Sequence, residues 1–233
     1  MAEDEDWMTS AFIVYDLVSD QVISRRDINP PGDVDNVTIS PLGTYFLAQF
    51  EWCEHGSMGM VYDREMQNPR GLLRNVGHSD SALDANGKEI FFYQDQDTDH
   101  VAILDLETGN ISSLFPIDFT CCEGCGMHFS GLGYQLPGWG LISYFDGDPI
   151  TRMWMDDHIF AVELKPGGKV VRFAQHHALV DPNQEHDYWA EPHASVNRDF
   201  SRILFTSNWG RSGSGEVEMY MVILPVNWYD LSE

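Results

Sequence analysis

Apolar runs along this chain are short, extended in character and paired. Four times, an apolar run ends on an acid, crosses a tight turn and resumes as a second extended run. The copies are AFIVYDLVSDQVISRRDI (11–28), GMVYDREMQNPRGLLRNV (59–76), HVAILDLETGNISSLFPI (100–117) and HIFAVELKPGGKVVRFAQ (158–175). The acids at the turns are Asp16, Asp63, Asp105 and Glu163, separated by 47, 42 and 58 residues. Between the copies lies a second kind of pair, bent at Pro, Gly or Asp, as in VTISPLGTYFLAQF, SALDANGKEIFFYQ and HASVNRDFSRILFTSNW. β-Branched and aromatic residues crowd the runs, while Gly, Pro, Asn and Asp punctuate them. No segment sustains a 3.6-residue period. The pattern predicts an all-β chain.

Spacings of this size match four-stranded antiparallel blades with loop insertions, and so predict a β-propeller. Inner strand pairs fall near 36–50, 80–94, 127–145 and 193–208, each followed by an outer pair or, after the last, by the single run EMYMVIL (218–224). That is about four to five blades within one domain, 1–233. The chain opens on an outer hairpin with no inner strands before it. Two arrangements satisfy this: a ring closed by the N-terminal strands, or the later part of a larger propeller that lacks its N-terminal blades here. The second is the expectation. In either, function concentrates on the central axis, where the innermost strands begin.

Charge narrows the partners. The chain carries 37 acidic against 13 basic residues, a formal net charge of −24. Such a field repels polyphosphate, so neither nucleic acid nor an anionic membrane surface is expected as a partner. No apolar stretch approaches the ~18 residues that span a bilayer. The acidic MAEDEDWMTS start has neither the basic residues nor the apolar core of a secretory signal. A soluble protein is expected, cytoplasmic or periplasmic if bacterial. An excess of acid also keeps a sheet-rich surface from aggregating.

Four residues are cysteine, three of them crowded into FTCCEGCGMHFSG: Cys121, Cys122 and Cys125, with Cys53 distant. Three readings stay open: a disulfide or buried thiols, a metal cluster with His128, or a redox pair. The histidines are more telling. His78, His128 and His193 each stand at or just before the start of an inner strand. His176, His177 and His186 lie on the long loop that feeds the last of these. Glu191 and His193, at i and i+2, face the same side if the segment is extended. Imidazole and carboxylate converging from neighbouring blades suit a divalent metal, and equally suit a polar channel that only binds water. Tyr188 and Trp189 add ring faces on which sugar C–H surfaces stack, or which simply pack the loop. No G-x-S-x-G elbow, P-loop or dinucleotide fingerprint is present.

Blade cores such as ISPLGTYFLA and HASVNRDFSRILFTSNW resemble the TolB-type propeller repeat, and Gln175 to Trp209 resembles the last blades of oligogalacturonate lyase. That family carries a metal-binding Gln-x-x-His-x-His-Pro run ahead of a strand like RILFTSN. The resemblance places His193 on the last metal-binding histidine and His128, in MHFSG, on an earlier one. Glu191 stands where a histidine is expected, and Tyr188 where the glutamine is. The resemblance thus implies a divalent ion, Mn or Ca rather than Zn, held by His128, Glu191 and His193. It also implies a uronate oligosaccharide split by β-elimination, with an arginine as base that has no aligned counterpart here. Tyr188, Trp189, His177 and His186 become substrate-contacting groups, and Arg152 and Arg211 the candidates to meet the uronate carboxylate. The alternative is a non-catalytic propeller that binds a glycan or a protein on its axial face.

Overall fold

A computed structural model describes residues 9–32, 34–53, 56–117, 125–145, 153–181 and 183–230. Its strands form five sheets, and every described pairing is antiparallel. β1 (Thr9–Asp16) pairs with β2 (Gln21–Gly32). β3 (Val34–Ile39), β4 (Tyr45–Cys53), β5 (Gly56–Asp63) and β6 (Arg70–Leu73) form a meander. A second meander is β7 (Val76–Leu83), β8 (Glu89–Asp95), β9 (His100–Asp105) and β10 (Ile111–Pro116). A third is β11 (Gly126–Ser130), β12 (Trp139–Phe145), β13 (His158–Glu163) and β14 (Val170–Gln175). The last sheet is β15 (Ser195–Val196), β16 (Arg202–Ser207) and β17 (Glu218–Ile223). Each inner and outer pair anticipated from the sequence is found.

Contacts divide the chain into two units, Met1–Val76 and Gly77–Glu233. In the first, Phe12 and Val14 of β1 bury against Phe46 and Ala48 of β4 and Tyr62 of β5. In the second, the sheets stack face on face. Ile90 and Phe92 of β8 pack on Met127, Ile142 and Tyr144 of the next sheet. The other face of that sheet, through Leu141, Ile159 and Ala161, packs on Val196, Ile203 and Phe205. Middle strands therefore bury both faces, which is why EIFFYQD and WGLISYF carry apolar residues at successive positions rather than in alternation. The outermost strands β10 and β14 bury little and alternate.

The recurring acids have a local cause. Each ends a strand and accepts hydrogen bonds from backbone N–H groups of the turn beyond it. Asp16 takes Val18 at 2.8 Å, and Asp105 takes Glu107 at 2.9 Å and Thr108 at 2.8 Å. Asp63 takes Gln67 at 2.6 Å, and Glu163, with its longer arm, takes Lys169 at 3.2 Å. A carboxylate satisfies turn donors that no strand can reach, so the repeat is a turn signature, with each acid at the close of its strand.

Neighbouring sheets of the second unit touch closely at their inner strands. The Gly131 N–H, just past β11, donates to the Asp80 carboxylate of β7 at 2.7 Å. A Cβ at Gly131 would overlap the Ser81 carbonyl oxygen, so only glycine allows this approach. Among the described residues no helix is long and apolar enough to cross a membrane.

Candidate metal centre

His128 is the third residue of β11, and its side chain is buried between sheets. Ser143 of β12 lies opposite it in the ladder. Ser143 also reaches the next sheet, where its Oγ accepts the Ala194 N–H at 3.2 Å, while Ser130 Oγ accepts the Val196 N–H at 3.2 Å. On the far side, Thr206 of β16 donates its hydroxyl to the Glu191 carbonyl at 2.7 Å and its N–H to the Pro192 carbonyl at 2.9 Å. Segment 191–196 is thus held from both sides, and its side chains are delivered beside His128.

The structure brings together His128, Glu191 and His193, with one donor atom from each lying within 4.8 Å of the others. His128 Nε2 is 3.2 Å and His193 Nε2 3.6 Å from Glu191 Oε2. The His128 and His193 rings stack with centroids 3.6 Å apart. Glu191 and His193 do not sit on a regular strand as the i, i+2 spacing suggested. A 3₁₀ turn, Glu185–Ala190, ends just before Glu191, and β15 begins only at Ser195. His193 bridges the two in the left-handed region, with φ 39°. That conformation costs a non-glycine residue of order 1 kcal/mol, and strain of this kind concentrates at functional sites.

Electrostatics define what these groups can do. Burial, aided by His78, pushes the His128 imidazole down to about 3. Burial and then His128 push His193 down to about 4, against the pull of Glu191. Burial also raises the Glu191 carboxyl, with His193 and His78 pulling the other way. Both rings are therefore neutral at pH 7 and present lone pairs, so their approach to Glu191 is not an ion pair. Neither His128 nitrogen has a hydrogen-bond partner among the described residues. A buried polar atom without a partner costs roughly 1–3 kcal/mol. Two neutral imidazoles, one carboxylate and an orphaned buried nitrogen fit a divalent cation, whose ligands must be deprotonated.

The other residues singled out by sequence take varied places. Tyr188 and Trp189 are 60% and 68% exposed and meet edge to face at 5.2 Å between ring centroids. His186 is exposed near Gly215. His177 is exposed, left-handed at φ 54°, with its ring 4.5 Å from that of Trp209. His176 is fully buried: its Nε2 donates to the Tyr144 carbonyl at 2.9 Å and its Nδ1 accepts the Ala178 N–H at 3.0 Å, a structural pairing. Arg211 is held by Glu216 at 3.0 Å and Glu218 at 3.6 Å. Arg152, Cys121 and Cys122 lie outside the described residues, as does the side chain of Cys53. Cys125 is disulfide-bonded, which removes it from any thiolate metal cluster with His128. Sequence reasoning missed the Ser130 and Ser143 clamps, and also Asp187. Asp187 is a buried carboxylate that ties the 176–191 loop to 208–213 through Ser212, Gly213 and Asn208. No motif marks any of them.

Five antiparallel sheets, three of them in the second unit with their inner strands side by side, make the fold a β-propeller. Solved structures share it. An oligogalacturonate lyase in complex with manganese is 16% identical at TM-score 0.59, covering 92% of this chain and 54% of its own. The oligogalacturonate lyase of Vibrio parahaemolyticus is 14% identical at TM-score 0.58, covering 93% and 55%. The propeller domain of the Trilobed protease from Pyrococcus furiosus, with its open velcro topology, is 14% identical at TM-score 0.54, covering 91% and 60%. The chain spans about half the length of the two lyases. No protein-family model and no curated protein matches it.

Proposed function

We propose that this propeller binds a divalent metal ion, Mn or Ca in preference to Zn, through His128, Glu191 and His193. We further propose that it acts on a uronate-bearing oligosaccharide by β-elimination. The observation that carries the reading is the convergence of three neutral or carboxylate donors, one with both ring nitrogens unpartnered, from residues 63 positions apart. The likeness in fold to a manganese-containing oligogalacturonate lyase supports it. A bound ion would supply a Lewis acid for the uronate carboxylate, acidifying the adjacent C–H. His128 and His193 would hold it as neutral donors, and Glu191 would offset its charge. Tyr188 and Trp189 would offer faces to the sugar ring, with His177 and His186 as further substrate contacts. Arg152 and Arg211 remain the candidates for carboxylate recognition, Arg211 only after release from Glu216 and Glu218.

Metal analysis of protein purified without a histidine tag, with Mn, Ca and Zn measured separately, tests the first half. A panel of uronate oligosaccharides, monitored for absorbance of the unsaturated product, tests the second. Protein that stays metal-free after soaking sinks the reading. A second reading, a non-catalytic propeller binding a glycan or protein on its axial face, is favoured by the net charge of −24 and by the carboxylates already holding Arg211.

A further inference from the structure

His78 is left over once the three donors are accounted for. It stands third on β7, as His128 stands third on β11, while His193 stands two residues ahead of β15. The His78 ring stacks on that of His128 with centroids 4.5 Å apart and planes at 30°. His128 stacks in turn on His193. Three consecutive sheets thus contribute one imidazole each to a single row.

Spacing and tautomer both bear on its role. Two imidazoles bound side by side to one ion, each nitrogen ~2.1 Å from it, hold their ring centres about 4.6–5.4 Å apart. The His78–His128 pair is already close to that spacing. His78 Nδ1 lies 2.7 Å from the Met127 carbonyl oxygen. A carbonyl only accepts, so Nδ1 carries a hydrogen, which in the neutral ring leaves the lone pair on Nε2. Metal-bound histidines are held in this way, with one nitrogen donating to a backbone carbonyl and the other facing the ion. Met127 is the neighbour of His128, so one peptide segment orients both rings.

We propose that His78 is a fourth donor, making the centre a set of three imidazoles and one carboxylate drawn from three sheets. This rests on the reading of His128, Glu191 and His193 as a metal site. His78 stands outside the cluster those three form within 4.8 Å, and it completes the coordination once the His128 and His193 rings, 3.6 Å apart here, open to that spacing.

The test is Mn(II) titration of the chelator-treated full chain, with free Mn(II) read by electron paramagnetic resonance. Wild type is compared with His78→Ala, His78→Gln and His193→Ala. Removal of His78 is expected to weaken Mn(II) affinity about 10–100-fold, with an unchanged circular dichroism spectrum. Co(II)-loaded wild type and variant should differ in visible absorption, reporting a lost nitrogen ligand. His78→Gln can still donate to the Met127 carbonyl, so it keeps the fold testable if His78→Ala does not. Affinity within twofold of wild type in His78→Ala, or a Co(II) spectrum unchanged in His78→Gln, where oxygen would replace nitrogen, while His193→Ala loses binding, overturns the role of His78 alone. A wild type that takes up no Mn(II), or as much as His193→Ala does, overturns the metal centre and this donor with it.

Discussion

Ser143 stands directly across the β11–β12 ladder from His128, and its Oγ accepts the Ala194 N–H at 3.2 Å. Together with the Ser130 and Thr206 bonds, this hydroxyl holds the His193 segment beside His128. Ser143→Ala should strand a buried N–H and cost about 1–3 kcal/mol in urea unfolding. It should also weaken metal uptake measurably, while Ser143→Thr restores part of both. Unchanged metal affinity in Ser143→Ala would remove the clamp from any account of the site.

His128 keeps two buried nitrogens without partners among the described residues, positions that a bound ion would fill. His128→Leu is expected to abolish metal uptake. It should leave metal-free stability equal or raise it by up to about 2 kcal/mol, since an apolar side chain needs no partner there. Urea titration in the presence of chelator checks this. A loss beyond about 2 kcal/mol would mean that His128 serves the fold.

Burial tends to raise the Asp187 carboxyl, but the hydrogen bonds from Ser212, Gly213, Asp181 and Asn208 outweigh it and hold the carboxyl below its usual range. With the folded value lower than the unfolded one, its stabilisation is full above about pH 4 and fades as the pH falls through the folded value. Asp187→Asn should lower stability at pH 7 and flatten the acid limb below about pH 4. Unfolding midpoints across pH 2–7 give the comparison. Parallel acid limbs in the two proteins would show that the carboxylate is not what the loop relies on.

Tyr188 and Trp189 are mostly solvent-exposed, so Tyr188→Ala and Trp189→Ala should change stability by no more than about 0.5 kcal/mol. If they form a sugar platform, oligogalacturonide affinity should fall at least about fivefold, close to 1 kcal/mol, with metal uptake unaffected. Calorimetric titration with a defined oligomer separates this from loop packing, which would instead move the unfolding midpoint.

Much of the fold was legible because its signals are local. An acid that ends a strand and caps the following turn writes itself into the sequence at Asp16, Asp63, Asp105 and Glu163 without reference to anything distant. Aromatic and β-branched residues crowd the runs of the middle strands because neighbouring sheets cover both faces. The site was legible only in outline. His78, His128 and His193 shared a place relative to their strands, and that much spacing could convey. The left-handed turn at His193, the serine clamps and the carboxylates that engage Arg211 depend on contacts between segments or on loop geometry, for which no short pattern codes. The disulfide at Cys125 was one of several readings that spacing alone left open.

At Gly131 two sheets meet main chain on main chain, with no room for even a methyl group against the Ser81 carbonyl. The joint has the thickness of a peptide unit, and nothing at that point can be swapped for something larger or smaller. Substitution can repaint the acidic surface and redraw the outer hairpins without altering the pitch from one inner strand to the next. A centre built across those strands inherits its dimensions from the polypeptide backbone itself.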